Sequence, residues 1–282
     1  MLLPEFVHPT RRTPLIREAD GYRCPATGEK FPDQDGVPAF VEKGLAEHMD
    51  SERDSFMNWL KSSLRQSPRL YLFLIFLISP VLLGGLSTRK FLERFPVGSR
   101  VLNLGSGVHR PRPDIVNVDI FFYPGVNVIA NGEELPFADA SIDAIICENL
   151  LEHVPRPHII VAEMLRVLKP GGQLYVVMPF IYPFHACPND FYRWTGRGIR
   201  ELLRDGEVLD VGARAGPTSG LVAQLGAWFA IAFSFGHEGL YNILSLVGLV
   251  IFCPIKVLDL VLGRFPTAMH APGQIYAVAK KR

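Results

Sequence analysis

Blocks of hydrophobic and polar positions alternate along the middle and end of the chain in the order expected of strands separated by helices. Short apolar runs predict seven strands, at 100–104, 115–118, 126–130, 142–147, 173–178, 207–212 and 274–279. Residues 157–168 instead carry apolar side chains at helical spacing, before the stop signal Lys169-Pro-Gly-Gly172. Such alternation predicts an α/β fold with a mostly parallel sheet and helices on both faces.

The first third of the chain has a different pattern. Residues 1–45 contain short apolar steps between turn residues, which predicts a small β-rich module. Residues 46–96 follow as a linker, with a predicted amphipathic helix at 46–66 and an uncharged segment at 70–86. That segment is near the roughly 18–20 residues that a membrane span requires. A helix packed against the core domain is the alternative.

A second apolar block, 221–255, is interrupted only by His237-Glu238. It lies within residues 216–272, between the sixth and seventh predicted strands, so the α/β domain comprises 97–215 plus 273–282. Because both flanking strands belong to one sheet, the chain must return to the side that it left. A helical hairpin that enters one leaflet or crosses twice satisfies this condition, whereas a single span does not. A soluble helical cap is the alternative.

Composition agrees with membrane contact. The hydrophobic fraction is 48%, charged residues make up 20%, and the mean hydropathy is +0.18, which is apolar for a soluble protein. A net charge of +1 without a broad basic face predicts no nucleic-acid partner. The N-terminal residues do not resemble a signal peptide, which predicts a cytosolic or cytosolic-face location. No C-x-x-C pair occurs among Cys24, Cys147, Cys187 and Cys253, so neither a metal site nor a disulfide framework is predicted.

The first predicted strand of the domain ends on the glycine pair Gly105-Ser-Gly107, and the next ends on Asp119. Glycines at a strand end let a ligand approach the backbone, and an acid on the neighbouring strand can bind ribose hydroxyls. An ordinary strand-end acid is the alternative for Asp119. Eleven residues separate Gly107 from Asp119, which predicts an unusually brief helix between the two strands.

The motifs that follow restrict the class of nucleotide-binding protein to which the domain can belong. Asn131-Gly-Glu-Glu-Leu-Pro-Phe137, Glu148-Asn-Leu-Leu-Glu-His-Val154 and Leu168-Lys-Pro-Gly-Gly172 come in this order after the glycine pair. This order resembles the class I S-adenosylmethionine-dependent methyltransferases of the type 11 group, over about 97–215. The resemblance implies a seven-stranded Rossmann-like sheet, methyl transfer, and S-adenosyl-L-methionine as the cofactor.

The N-terminal module also resembles a zinc-ribbon-like module found with some methyltransferases. Thr27 stands where that pattern has a second cysteine after Cys24, so a metal-free remnant is predicted.

The methyltransferase resemblance implies roles for individual residues. Gly105 and Gly107 would leave room for the methionine part, and Asp119 would accept two ribose hydroxyls. Asn131 would face the adenine amino group, with a plain turn as the alternative. The residues expected to hold the cofactor are Gly105, Ser106, Gly107, Asp119, Asn131, Glu134 and Leu135 (adenine side), and Glu148 and Asn149 (methionine end).

Candidate catalytic residues follow the fifth strand, where the run His185-x-x-Pro-x-Asp190-Phe-x-Arg193-Trp resembles a run in a related branch of the family. His185 is predicted to be a general base, with Asp190 orienting it or Arg193. An Asp190–Arg193 ion pair that caps the next helix is the alternative. His153 is a weaker candidate, because Glu152-His153 is common in the wider family and often only closes a helix start.

The prediction is therefore a methyltransferase, peripheral or monotopic at the cytosolic membrane face, that methylates an oxygen of a lipid-linked or glycolipid acceptor. Membrane contact is expected through 70–86 and 221–255. A soluble, cytoplasmic methyltransferase of a small metabolite, tRNA or protein is one alternative, with the apolar block as a lid. A non-catalytic cofactor-binding scaffold is the other. The sequence leaves the oligomeric state open.

Overall fold

The computed structural model describes residues 4–41, 79, 81–82, 84–185 and 189–282. The predicted linker helix at 46–66 and most of the apolar segment at 70–86 lie outside these residues.

A seven-stranded sheet forms the centre of the described structure, in the order β10-β11-β9-β8-β5-β6-β7. Its strands are β5 (Val101–Leu104), β6 (Val116–Asp119), β7 (Val128–Ile129), β8 (Ile142–Glu148), β9 (Leu168–Pro179), β10 (Glu207–Ala215) and β11 (Gln274–Lys280). Neighbouring strands from β9 to β7 pair in parallel, whereas β11 is antiparallel to both β9 and β10. The predicted α/β class with a mostly parallel sheet is confirmed.

Helices cover both faces of this sheet because its strands are apolar on both sides. Along β9, Val176 faces a core shared with α2 (Pro157–Val167) and α3 (Gly196–Leu202). The next residues on either side face the opposite core, where Tyr175 stacks on Phe91 of α1 (Thr88–Leu92), with ring centroids 5.2 Å apart. This period-two alternation is the strand signature that the sequence displayed.

The prediction of a brief helix between the first two strands of the domain is wrong. Residues 105–115 form turns and bends without a helix. Gly105 and Gly107 have positive φ angles of 68° and 49°, which an α-helix excludes. Pro111 and Pro113 lack the backbone N–H that a helical turn would use. The loop therefore reaches β6 without the row of helical amides that other nucleotide-binding folds present.

The N-terminal module is a four-stranded antiparallel sheet that packs on the large one. Its strands are β1 (Ile16–Glu18), β2 (Gly21–Arg23), β3 (Lys30–Gln34) and β4 (Val37–Pro38). Phe6 and Phe40 belong to the same core as the domain, and Phe6 forms a bridge with Phe137. The amide of Phe40 donates to the carbonyl of Ile129 at 2.8 Å, beside β7.

An antiparallel helical hairpin connects β10 to β11 and contains the second apolar block. It consists of α4 (Pro217–Ser234) and α5 (Glu238–Phe252), followed by short helical turns and α6 (Asp259–Leu262). The helices approach so closely at Gly226 and Gly248 that a Cβ on Gly248 would lie 3.0 Å from the Gly226 Cα. The Asp259 carboxylate accepts the amides of Thr218 and Ser219, which satisfies the first turn of α4.

Candidate functional site

A cavity of about 180 Å³ opens at the carboxyl ends of β5, β6 and β8, the edge where open α/β sheets bind ligands. Both predicted glycines line it. At Gly105, where φ is 68°, a Cβ would lie 3.0 Å from the Leu150 side chain. Glycine therefore provides both the backbone conformation and the space at this strand end. The lining residues are Leu104, Gly105, Gly107, Asp119, Ile120, Phe121, Tyr123, Ala130, Asn131, Gly132, Asn149, Leu150, His153, Val154 and Ile160.

Asp119 organises the backbone around this cavity. Its carboxylate accepts the amide of Gly107 at 2.7 Å and the amide of Phe121 at 3.0 Å. The residue is 7% exposed and lines the cavity. A buried carboxylate that fixes two loops and borders a cavity is suited to accepting hydroxyl donors from a ligand.

A second cavity, of about 320 Å³, lies on the other side of Asn149. Asn149 lines both cavities and has a left-handed φ of 51°. Glu148 faces only the second one, where it accepts a hydrogen bond from the Thr88 hydroxyl at 2.6 Å. Its other lining residues are Ser87, Arg89, His109, Pro111, Val177, Arg214 and Gln274.

The three predicted catalytic residues come together in the segment after β9. The Asp190 carboxylate receives two hydrogen bonds from the Arg193 guanidinium and one, at 2.8 Å, from the backbone amide of His185. Burial would raise the pKa of Asp190, but these donors outweigh it and lower that pKa to about 2. The Asp190–Arg193 ion pair of the alternative is thus present, but Thr195 rather than this pair caps the next helix, and Asp190 holds the His185 backbone.

His185 has the protonation state that a base requires. Burial is the main cause that lowers the pKa of His185, and His153 adds to the effect, so the ring is neutral at pH 7. Its Nδ1 lies 3.4 Å from Asp190 Oδ2 and 3.4 Å from the Pro183 carbonyl. Arg193 Nη2 lies 3.5 Å from His185 Nδ1, but its two hydrogens are already donated to the Pro183 carbonyl and to Asp190 Oδ2. The proton therefore belongs on Nδ1, which leaves the lone pair on Nε2.

Glu152 and His153 form a cluster with His185. The sequence analysis interpreted Glu152-His153 mainly as the start of a helix. They lie in a single 3₁₀ turn, Leu151–His153, directly after β8. Glu152 is fully buried, and burial raises its pKa to about 8. The ring of His153 lies edge-on to that of His185, with centroids 5.0 Å apart. His153 also lines the first cavity, so this cluster borders that cavity.

Comparison with known proteins identifies the domain. A family model described as "Methyltransferase domain" matches residues 114–176, from just before β6 into β9. Residues 114–176 therefore match a methyltransferase domain, and the predictions of a methyltransferase and of S-adenosylmethionine as its cofactor are confirmed.

Curated relatives match only a short part of the chain. An uncharacterized methyltransferase of Mycobacterium tuberculosis is 57% identical over 49 residues, which are 17% of this chain and 19% of that protein. One from Mycobacterium avium is 56% identical over 48 residues, again 17% of this chain and 19% of that protein. The chain thus spans about a fifth of the length of the curated relatives that it matches.

Solved methyltransferase structures are similar to the chain at low sequence identity and with TM-scores below 0.5. A Haemonchus contortus phosphoethanolamine N-methyltransferase in complex with S-adenosyl-L-methionine is 14% identical, covers 90% of this chain and 62% of its own, and has a TM-score of 0.49. A Burkholderia thailandensis 1,6-didemethyltoxoflavin-N1-methyltransferase is also 14% identical, covers 86% and 92%, and has a TM-score of 0.45.

The first cavity of the methyltransferase domain fits S-adenosylmethionine. Ser106, between the two lining glycines, does not itself line the cavity; it is 4% exposed, and its hydroxyl has no hydrogen-bond partner among the described residues. The glycine pair leaves the strand end open, and Asp119 supplies carboxylate oxygens at the tip of β6. Few helical amides face the cavity, which suits a ligand without a pyrophosphate.

Four of the predicted cofactor residues do not line the first cavity, namely Ser106, Glu134, Leu135 and Glu148. Glu134 is exposed, and Leu135 is buried in the core, where its carbonyl accepts hydrogen bonds from Arg12 and Arg166. Neither residue lines the first cavity. Asn131 does line the cavity, but its Oδ1 accepts the amide of Glu133 at 3.0 Å. The plain turn, given above as the alternative to an adenine contact, is therefore present.

The sequence analysis missed the hydrophobic wall of the cavity. Ile120, Phe121 and Tyr123 follow Asp119 directly and line the cavity beside it. Their signal was the run Ile120-Phe-Phe-Tyr123, an apolar group placed after a strand-end acid rather than within a strand. A planar base requires such a wall, and the run could have indicated one.

Proposed function

We propose that the chain transfers a methyl group from S-adenosylmethionine to an oxygen atom of a lipid-linked acceptor, such as a glycolipid hydroxyl, at the cytosolic face of a membrane. The cavity between Gly105 and Asp119 supports the donor half of this proposal. The acceptor half depends on one observation, which is the exposed apolar surface of the α4–α5 hairpin next to the His185 segment.

The hairpin exposes large apolar side chains along its whole length. On and after α4, Trp228 is 61% exposed, Ile231 66% and Phe235 82%. Monomeric soluble proteins rarely expose apolar patches of this extent. Exposed apolar side chains on α5 and just after it are Leu240, Ile243, Val247, Val250, Ile251 and Ile255.

The second half of the hairpin also has the properties of a membrane segment. Residues Glu238–Leu262 contain an 18-residue window with a mean hydropathy of 2.2 and are, by length and composition, sufficient to cross a membrane. Only 22% of this apolar window is buried, whereas the core helix of a soluble protein would be mostly buried. Glu238 and His237 at the hairpin tip favour a position along the membrane surface, because a charged tip is costly in the hydrocarbon core.

A cleft of about 130 Å³ connects the hairpin to the candidate catalytic segment. Tyr182 and Pro183 form one side of it, and the ring of Tyr182 packs on that of His185, with centroids 4.9 Å apart. A hydrocarbon chain held in this cleft would direct its polar end towards His185. The hairpin residues that line the cleft are Ala223, Gly226, Ala227, Tyr241, Ser245 and Leu249.

The residues around the cavity support an in-line displacement. When bound, S-adenosylmethionine supplies an electrophilic methyl group on a sulfonium sulfur. The acceptor oxygen bonds to the methyl carbon as the carbon–sulfur bond breaks, and the hydroxyl proton must leave. His185, His153 and Glu152 are groups that can receive it or assist its loss. Asn149, between the two cavities, borders the region where donor and acceptor would meet.

Membrane binding is tested by flotation of the purified chain with lipid vesicles in the absence of detergent. The variant Trp228→Ser/Ile231→Ser removes two exposed apolar side chains, worth about 2–4 kcal/mol together if lipid covers them, and should reduce vesicle affinity more than tenfold. The control Val97→Ser/Leu209→Ser changes exposed residues outside the hairpin and should not reduce it. Failure of the unaltered chain to float would contradict the membrane part.

Methyl transfer is tested with a donor labelled in the methyl group, a cell lipid extract and mass spectrometry of the product. Label in the organic phase supports the proposal. Label in water-soluble metabolites, tRNA or protein would favour the soluble alternative, with the hairpin as a lid. Binding of S-adenosylhomocysteine without transfer to any fraction would favour the scaffold.

A further inference from the structure

Glu152, His153 and His185 form a group with the chemistry of a metal site. One ligand atom from each, a carboxylate oxygen or an imidazole nitrogen, lies within 4.8 Å of the others. Tetrahedral zinc with bonds of 2.0–2.1 Å separates its ligand atoms by about 3.3 Å, so side-chain movements of roughly 1 Å would complete the geometry. The three residues come from two adjacent strand ends, those of β8 and β9.

In both imidazoles the contacts of Nδ1 leave Nε2 with the lone pair that a metal requires. His153 Nδ1 lies 2.6 Å from the carbonyl oxygen of Asn189, so Nδ1 carries the proton and Nε2 the lone pair. His185 has the same tautomer because its Nδ1 faces Asp190 and Pro183. Histidines that bind metals typically donate their other N–H to a carbonyl or carboxylate in this way.

Glu152 is the observation that points to a bound cation. The side chain is fully buried, and neither carboxylate oxygen has a hydrogen-bond partner among the described residues. His153 Nε2, which bears a lone pair rather than a proton, lies 3.8 Å from Glu152 Oε1 and therefore cannot satisfy it. Arg193 is already paired with Asp190. A buried anionic carboxylate without donors is costly, so either a proton or a cation must neutralise it. The two imidazoles within reach of Glu152 supply the further ligands that a cation needs.

We propose that Glu152, His153 and His185 bind one divalent transition-metal ion, with Zn²⁺ as the expected occupant. Two histidines and one glutamate form a ligand set of catalytic zinc, which keeps its fourth position for water or substrate. Since His153 also lines the donor cavity, that position lies close to it. A catalytic role for the ion beside this cavity rests on the proposed function. An acceptor hydroxyl bound to the ion would lose its proton more easily, and His185 would act as a metal ligand instead of a base.

The sequence analysis predicted no metal because it looked for paired cysteines. Here the ligands are a Glu-His pair and a histidine 32 positions further along the chain, from His153 to His185. Such a spacing has no short motif. The group becomes visible only when the parallel pairing of β8 and β9 places their carboxyl ends side by side.

The test is a Zn²⁺ titration of the metal-free, full-length chain in mild detergent, in competition with a chromophoric chelator. One equivalent should bind, and Glu152→Gln should weaken the affinity by ~100-fold or more. The control His158→Gln alters an exposed histidine on α2 and should bind Zn²⁺ like the unaltered chain. Co²⁺ in place of Zn²⁺ should give visible absorption bands of low-coordinate nitrogen and oxygen ligation.

A second variant keeps the test decisive if Glu152→Gln fails to fold. His185→Gln should also lose Zn²⁺ binding, while S-adenosylhomocysteine affinity and the thermal melt report whether each variant is intact. Substoichiometric binding to the unaltered chain, or equal Zn²⁺ affinity in folded variants, would overturn the inference. Methyl transfer without Zn²⁺ binding refutes this inference alone, whereas Zn²⁺ binding without methyl transfer refutes only the proposed function.

Discussion

Replacement of Asp119 by asparagine tests the donor site at its most constrained residue. The carboxylate accepts the amides of Gly107 and Phe121, and in the bound state it would also accept ribose hydroxyls. Asparagine has the same shape but only one accepting oxygen, and its NH₂ group would face a donor instead. Asp119→Asn therefore removes the charge and at least one accepted hydrogen bond at a site that is 7% exposed.

The expected loss follows from the energy of such hydrogen bonds. A bond to a charged group contributes about 1.5–3 kcal/mol, and asparagine retains part of it. We expect S-adenosylhomocysteine binding to weaken by one to two orders of magnitude, or about 1.4–2.8 kcal/mol. Isothermal titration calorimetry measures this directly.

A matched control separates the local effect from a general one. Asp205 is exposed, and Asp205→Asn should leave the affinity unchanged. The reasoning is refuted if Asp119→Asn binds S-adenosylhomocysteine as tightly as the unaltered chain. A lower melting temperature with unchanged affinity would show that Asp119 only fastens the loop to the strand.

Three further predictions concern stability, each measured by urea unfolding. Phe91→Ala removes a fully buried ring stacked on Tyr175 and should cost about 3–5 kcal/mol, whereas Phe122→Ala, at a ring 41% exposed, should cost far less; equal losses would contradict the packing. Gly248→Leu forces a side chain against the Gly226 backbone and should cost about 1–3 kcal/mol, while Gly239→Leu, with open space around it, should not. Burial raises the pKa of Asp143, but the Lys169 hydrogen bond and the Arg100 amide outweigh it and lower that pKa below 3.8. Because the folded-state pKa lies below the unfolded one, the carboxylate stabilises the fold above about pH 4 and loses this effect as the pH falls through the folded-state pKa, so Asp143→Asn should be less stable than the unaltered chain at pH 7, by a difference that shrinks as the pH falls below 4; a difference that stays constant or grows on acidification would be inconsistent with this.

The sheet was predictable because its strands are apolar on both faces and end at glycine or acidic residues. Val101–Leu104 and Ile142–Glu148 stand out as short apolar runs, and the structure places strands there. The loop after Gly107 was not predictable in the same way. Its length predicts a short helix, whereas the positive φ of Gly105 and Gly107 and the two prolines favour turns.

Individual site residues depend on burial, which the sequence does not specify. The motif that contains Leu135 indicates the family correctly, yet this side chain lies in the core, because Glu163 accepts its amide at 2.9 Å and fixes the loop there. Glu152 shows the opposite case. In the sequence it resembles an ordinary helix-start residue. In the structure its side chain is fully buried, and its backbone carbonyl accepts the Phe191 amide at 2.7 Å.

The N-terminal module has a consequence for solubility. β7 has only two residues and is the last strand of the large sheet, so its outer backbone groups would otherwise be open to pairing with another chain. Phe40 and Ala39 occupy that position by bonding and bridging to Ile129. At the opposite margin, irregular register in β10 disrupts the ladder that a neighbouring molecule would need. The module therefore prevents pairing of this sheet edge with another molecule. A chain that begins after residue 45 should self-associate even if its donor cavity is intact.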